Sequence, residues 1–507
     1  MKSAKKWLAF LLAFVMVMAM TTAFADEEKP TWIHYNRNEG TRMAEDDEKV
    51  FQWMQEQLGF NCDIRMYPAG DLTSRMQMVF NSGEAFDSFG LLAYAANIEL
   101  LKANGLIQPL NPYLEEYGQH VMEVYPDNAW DLVIDKDGLI WSLTRCEVNY
   151  RGNQPAIRED WVEKLGMEMP TSIVELEEWM QAVLDNDVNG NGIVDDEIPM
   201  ALQSGLWSIR LDFFPPFLGW SGETYMDDEG NIASIYTHPD FKNLLAKLNE
   251  WYEKGYIYKE WNTMDNYDDL KNADRIGMYT NYFIGGDTTW KNVPGCVYSP
   301  LPPFTDAPGA SAWTASPQYS TVMALYSGAE HPELAIKYID WVCSDPANAL
   351  TMQYGLEGEN WQWIDQAANE FETIDGWNDR YSSPWKLVDT YFDGFWPTAP
   401  TTTDYILQDR ARVKELTKDW TYLPNMNNHF FFNYEGTDAE YFTGDGYTLL
   451  EEAMIKIVYG QMDVSEWDDV VAEYNELEGD TYKEIWTEQY NDKYAFKFTR
   501  EFMTGKD

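Results

Sequence analysis

Residues Asp185 to Met200 read DNDVNGNGIVDDEIPM. Five of these side chains are Asp or Glu, three are Asn and two are Gly. Oxygen-bearing side chains recur at every second position across Asp185, Asp187, Asn189 and Asn191. That spacing suits a tight loop wrapped around a hard cation, which takes about 6–8 oxygens at about 2.3–2.6 Å. Glycine supplies the positive φ that such a turn needs. Two registers are open. From Asp185 the loop reads D-x-D-x-N-G, with Asp196 at its twelfth position. From Asp187 it reads D-x-N-x-N-G, with the Ile193 carbonyl seventh and Asp195 ninth. Neither register ends in the Glu of a complete EF-hand. The alternative is a surface turn rich in Asn and Gly. Packing so many carboxylates into a short loop favours the cation, and calcium is the expected ion.

The segment before the loop reads IREDWVEKLGMEMPTSIVELEEWMQAVL, and the loop is followed by IPM. This order resembles the extracellular solute-binding proteins of ABC transporters, family 1, in the calcium-loop branch that includes alginate-oligosaccharide-binding proteins. Two further stretches carry the same resemblance. They are PELAIKYIDWVCSDPANALTMQYGLEGENWQW, from Pro332 to Trp363, and the late helices around GQMDVSEWDDVVAEY. The resemblance implies a two-lobe α/β fold of the periplasmic-binding-protein type II kind, hinged, with the ligand cleft between the lobes. It implies calcium ligands at Asp187, Asn189, Asn191, Ile193 through its carbonyl, Asp195 and Asp196. Because Glu197 follows directly, the last ligand stays open between Asp196 and Glu197.

Residues 1–25 read as a secretory leader. Lys2, Lys5 and Lys6 precede an apolar run from Trp7 to Met20, and Ala23-Phe24-Ala25 forms a small-residue cleavage site. The expected location is extracellular or at the cell surface. The anchoring cysteine common in such proteins is not seen before Cys62. The formal charge is −49, and losing the leader lysines deepens it. So acidic a surface repels nucleic acid and anionic lipid, and it favours a neutral ligand over an anionic one. A hydrophobic content of 45% supplies ample core and excludes a disordered chain. Cys62, Cys146, Cys296 and Cys343 lack C-x-x-C spacing and read as small buried residues.

Along the chain, Trp32–Tyr35 is β-prone. Val50, Phe51, Met54 and Leu58 recur at helical spacing before Gly59, and Cys62, Ile64 and Met66 alternate as a strand. This β-α-β order predicts a largely parallel sheet. Ser172 with Glu175 predicts a capping box for the helix entering the acidic loop. The expected lobes are 26–145 with 272–320, and 146–271 with 321–445, the latter holding the loop at 185–197. Helices at 446–507 are expected to pack on both. Leu139 to Arg151 is the expected first crossing.

No H-E-x-x-H, G-x-S-x-G, Walker or G-x-G-x-x-G motif is present. The chain holds 22 Trp and 32 Tyr, more than a core this size requires. Aromatic faces stack on the C–H faces of sugars, while amides and carboxylates bond the hydroxyls. Trp251 and Trp341 fall on helical apolar stripes and are expected in the core. Trp220, Trp290, Trp313, Trp361 and Trp396 sit in loop-like stretches and are the candidate sugar platforms. Asn36 and Arg37, just past the first strand, are polar candidates, because strand carboxyl ends face the crevice in such sheets. The expected function is a monomeric, non-enzymatic receptor that delivers a carbohydrate to ABC transporter permease subunits. A secreted carbohydrate-active enzyme and a glycan-adhesion module are the alternatives.

Overall fold

The computed structural model describes residues 29–38, 44–68, 78–90, 95–125, 130, 133–144, 152–203, 207–264, 267–281, 289–315, 321–374 and 405–506. The leader, Cys146 and Trp396 lie outside these residues. Among the described residues, no helix is long and apolar enough to cross a membrane.

The chain builds two six-stranded sheets. In the first, β1 (Thr31–Asn38) runs parallel to β2 (Asn61–Pro68) and to β3 (Ser88–Phe89). The predicted helix between β1 and β2 is α1 (Ala44–Leu58), and Gly59 ends it at φ +76°. β4 (Ile107–Gln108) and β5 (Leu143–Thr144) complete this sheet with β13 (Thr321–Tyr326), which runs antiparallel to β3, β4 and β5. Trp32, Met54, Leu114, Met323 and Ile339 belong to its core.

The second sheet has the order β16 (Tyr422–Leu423), β12 (Trp313–Ala315), β6 (Gly152–Arg158), β10 (Ile276–Asn281), β7 (Ile198–Ala201). β11 (Tyr298–Pro300) also pairs with β6. Two helices cover this sheet and a third packs behind them, and their apolar residues explain why. In α2 (Ile173–Asp185), Ile173, Leu176, Trp179, Met180 and Val183 are buried on one stripe. α3 (Trp207–Leu218) is buried along most of its length. α4 (Phe241–Glu253) buries Phe241, Leu244, Leu245, Leu248 and Trp251 completely. Each such side chain contributes roughly 1.5–3 kcal/mol on leaving water. The C-terminal helices α6 (Asp445–Val458) and α7 (Asp480–Lys493) join the same core through Leu450, Met454 and Tyr490.

The strand partners correct the expected lobe boundaries. Residues 272–320, expected in the first lobe, supply β10, β11 and β12 to the second sheet. Residues from 321, expected in the second lobe, supply β13 to the first sheet, followed by α5 (Pro332–Ser344) packed in the first core. The hairpin of β14 (Trp361–Asp365) and β15 (Glu370–Thr373) comes next. The physical reason is that a short apolar strand carries no record of its partner. β10 is placed by pairing with both β6 and β7, which a local reading cannot see. The C-terminal helices, expected on both lobes, bury their apolar faces in the second. They touch the first through Lys136 to Asp492 at 3.0 Å and Lys497 to the Ile134 carbonyl at 3.0 Å.

Cys62, Cys296 and Cys343 are buried, as expected.

Candidate functional site

Connectivity fixes which edges of the two sheets face each other. The chain leaves the first sheet after Thr144 and enters the second at Gly152; it leaves the second after Ala315 and re-enters the first at Thr321. These ends are partners in both sheets, Thr144 opposite Thr321 and Gly152 opposite Ala315. Two crossings side by side make a hinge and leave a crevice beside it. On the first lobe, the carboxyl end of β1 lies at this edge, so Asn36 and Arg37 are placed there by backbone position; their side chains lie outside the described set. On the second lobe, the same edge holds Asn153 and Gln154 at the start of β6, Thr280 near the end of β10, and Thr314 in β12. All four are buried. Sequence reasoning missed them, although Asn153-Gln154 directly before the apolar run of a strand was an available signal.

The tryptophans divide. Trp313 is fully buried, donates its indole N–H to the Leu301 carbonyl at 2.9 Å and meets Phe304 edge-on. Trp361 is fully buried, bonds the Gly355 carbonyl at 2.8 Å and packs with Tyr354 and Phe371. Trp220 is nearly so, between Tyr225 and the Arg500 guanidinium. A ring with no open face cannot stack on a sugar, so these three serve the cores. Their loop-like sequence context misled because Gly and Pro neighbours report on backbone, not on what covers a side chain. Trp290 is half-buried, with the Lys291 ammonium 6.0 Å from its ring centre. Its turn is tied to the end of the sheet away from the crevice, through Asn292 and Asn272 at 2.8 Å. Trp251 is core, and Trp341 is packed against Trp53 at the rim of the first core.

The acidic loop joins α2 to β7. Ser172 caps α2 by accepting the Glu175 N–H at 3.1 Å, and Glu175 reaches back to the Thr171 N–H at 2.8 Å. The Asp187 carboxylate organises the loop. Its Oδ1 accepts the N–H of Gly190 at 2.8 Å and of Asn191 at 3.0 Å, and its Oδ2 accepts that of Gly192 at 2.8 Å. Gly190 and Gly192 take φ +78° and +89° to allow this wrap. Asn189 and Asn191 accept the N–H of Asn191 and Ile193 and turn their amide nitrogens to Asp196. Asp196 also faces Arg275, with the two 3.5 Å apart. Glu197 is 5 % exposed; its Oε1 accepts the Val188 N–H at 2.8 Å, and its Oε2 has no partner. Among the described residues, no three His, Cys, Asp or Glu converge on one point. The donors nonetheless fit a hard cation. All are oxygens, and a buried carboxylate oxygen without a partner demands positive charge or a proton.

Two α/β lobes joined by two adjacent chain crossings are the architecture of a two-lobe solute-binding protein. A sequence model of the bacterial extracellular solute-binding protein family matches residues 44–349, and the chain belongs to this family. It is 24% identical over 491 residues to the fructooligosaccharide ABC transporter substrate-binding protein FusA of Streptococcus pneumoniae, covering 88% of this chain and 87% of that protein. The structure of a FusA EF-hand mutant in complex with fructo-nystose superposes with a TM-score of 0.63 at 20% identity, over 91% of this chain and 99% of that one. The alginate-binding protein AlgQ2, solved without calcium ion, superposes with a TM-score of 0.60 at 17% identity, over 92% of this chain and 98% of that one.

Proposed function

We propose that this chain is the capture subunit of a carbohydrate importer. It binds a neutral oligosaccharide between its lobes, performs no chemistry on it and presents it to ABC transporter permease subunits. The observation that carries this reading is the pair of adjacent crossings, Thr144 to Gly152 and Ala315 to Thr321, which permits the lobes to close. A ligand shifts an open–closed equilibrium only by preferring one form, so the sugar must touch both lobes. Family membership and the sugar-binding relative support the substrate class. Asn36, Arg37 and Trp396 are the proposed ligand contacts, the first two on position at the crevice. The leader at 1–25 sends the chain out of the cell as a monomer.

Calcium is the proposed structural ion of the acidic loop. Asp187, Asn189, Asn191, the Ile193 carbonyl and Asp195 would hold it with Asp196 or Glu197. Glu197 Oε2 is the oxygen still lacking a partner, which favours Glu197 as the last ligand. When bound, the ion neutralises the loop carboxylates and fixes the end of α2 against β7.

Calorimetric titration with kestose, nystose, N-glycan fragments and alginate oligosaccharides tests the function. Binding of at least one neutral sugar is expected, with no release of shorter products on long incubation. Hydrolysis would favour the enzyme, and binding restricted to anionic sugars would overturn the neutral-ligand reading.

A further inference from the structure

The crevice edge of the second sheet contains a buried polar corner that neither the acidic loop nor the tryptophans explain. Asp212 lies within α3 and is 1 % exposed. The Thr280 hydroxyl donates to its Oδ2, and its Oδ1 has no partner. Asn153, equally buried, also leaves its Oδ1 without a partner. The groups are neighbours through the sheet. Thr280 lies opposite Pro155, and Thr314, opposite Asn153, donates to the Leu211 carbonyl beside Asp212 at 3.1 Å. One turn earlier on α3, Ser208 meets the Tyr267 hydroxyl at 3.2 Å and accepts the Gln203 N–H at 2.9 Å. Ser208 and Asp212 thus form one polar stripe, four residues apart, on an otherwise apolar helix.

A carboxylate oxygen and an amide oxygen both accept only. The carboxylate oxygen of Asp212, left over in a dry site, is relieved by a proton on the acid, not by a negative charge. Among the described residues, β6, β10 and β12 present Asn153, Met278, Thr280 and Thr314 toward α3, none of them charged. α4 meets α3 through Phe241 and Trp251, and its Lys247 is engaged by Glu177 and Glu250. On α3 itself, Arg210 is paired with Glu223. Tyr267 is the neighbouring titratable group, pushed up to about 12, chiefly by burial and in part by Asp212. Burial pushes the Asp212 carboxyl up to about 8, against the opposing bond from Thr280.

We propose that Asp212 is a positioning residue of the ligand cleft, a neutral acid that clasps the crevice end of β10 to α3 and releases it when it gives up its proton. The proposal rests on reading the interlobe edge as the cleft. From the ordinary carboxyl value up to about 8, the folded chain keeps a proton that the unfolded chain has released. Stability therefore falls as pH rises through that window, by about tenfold in the folding constant per pH unit, and levels off above it. The clasp itself opens only above about 8.

The test compares the secreted-length chain with Asp212→Asn, which keeps shape and hydrogen-bonding capacity but cannot titrate. Urea unfolding from pH 5 to 9.5, amide exchange at Thr280 and Ser208, and kestose titration are the readouts. Relative to Asp212→Asn, the parent should lose about tenfold in folding constant per pH unit between pH 5 and 8. Its protection at Thr280, corrected for intrinsic exchange, should drop between pH 7.5 and 9.5. Its kestose affinity should fall over the same interval, while that of Asp212→Asn stays level across pH. Parallel profiles in the two proteins would overturn the proposal. Diverging unfolding with a level kestose affinity in both would reduce Asp212 to a core acid and overturn the positioning role. Absence of kestose binding at every pH counts against the substrate reading, and Thr280 protection in the parent then decides: a drop above pH 7.5 supports the clasp and a flat profile rejects it.

Discussion

Glu197 ties the acidic loop to the fold, since one of its oxygens holds the loop backbone while the other has no partner. Calcium at 100 times its dissociation constant would add about 2.7 kcal/mol by mass action. Chelator should lower Tm and calcium should restore it. Asp187→Ala should melt low and ignore both, because Asp187 also holds three backbone N–H groups. An unchanged melt in excess chelator, with no metal in the purified protein, rules the ion out. His34 offers a second test. It is fully buried, its Nδ1 bonds Ser88 Oγ at 2.8 Å, its Nε2 has no partner, and burial pushes its pKa down to about 3. Between about 3 and the ordinary value of 6.5, the unfolded chain binds a proton that the folded chain refuses. Stability is therefore lost as pH falls through that window, by about 1.4 kcal/mol per pH unit for one such group. His34→Gln should flatten the urea-unfolding profile between pH 4 and 6.5 by that slope. A profile parallel to the parent's would show that His34 takes up its proton while folded.

Elements were legible where their cause is local. The Ser172 cap, the buried stripe of α2 and the glycine stop of α1 each follow from residues within a few positions of one another. Ser172→Ala should cost about 1 kcal/mol by freeing the Glu175 N–H, read as a lower urea midpoint at unchanged slope. Trp313 shows the opposite case. Its neighbours suggested an exposed loop, yet it lies in β12 between Leu301 and Phe304. Trp313→Ala should cost roughly 3–5 kcal/mol of stability as a core cavity. Loss of sugar affinity from that variant without loss of stability would restore the platform role. Trp290→Ala should leave the melt nearly unchanged, since its ring is only half-buried.

At the scale of the molecule, the two crossings give the lobes one shared hinge, and ligand must bridge them to close it. Small-angle scattering should show a smaller radius of gyration on saturation with a bound sugar. An unchanged radius with a tight ligand would mean that the lobes do not close on it. The contacts of Asp492 and Lys497 with the first lobe lie on the C-terminal segment, so closure must either preserve or break them. The Lys136–Asp492 pair is exposed and worth little alone. The formal charge of −49 makes long-range repulsion between this chain and other anions depend on salt, which screens it.

The sequence by itself determined the α/β class, the family, the acidic loop with its candidate ligands, the helix caps and the apolar stripes. The family rests on resemblance, and the rest on short-range spacing, because caps, turns and amphipathic faces are set by residues a few positions apart. The tertiary structure alone decided which lobe owns β10 to β13, because pairing partners such as Thr144 and Thr321 lie far apart in the chain. It also decided which tryptophans are closed off and which polar side chains meet at the crevice. Burial belongs to the assembled neighbourhood: Asp212 and Thr280 become partners only when α3 settles on β10.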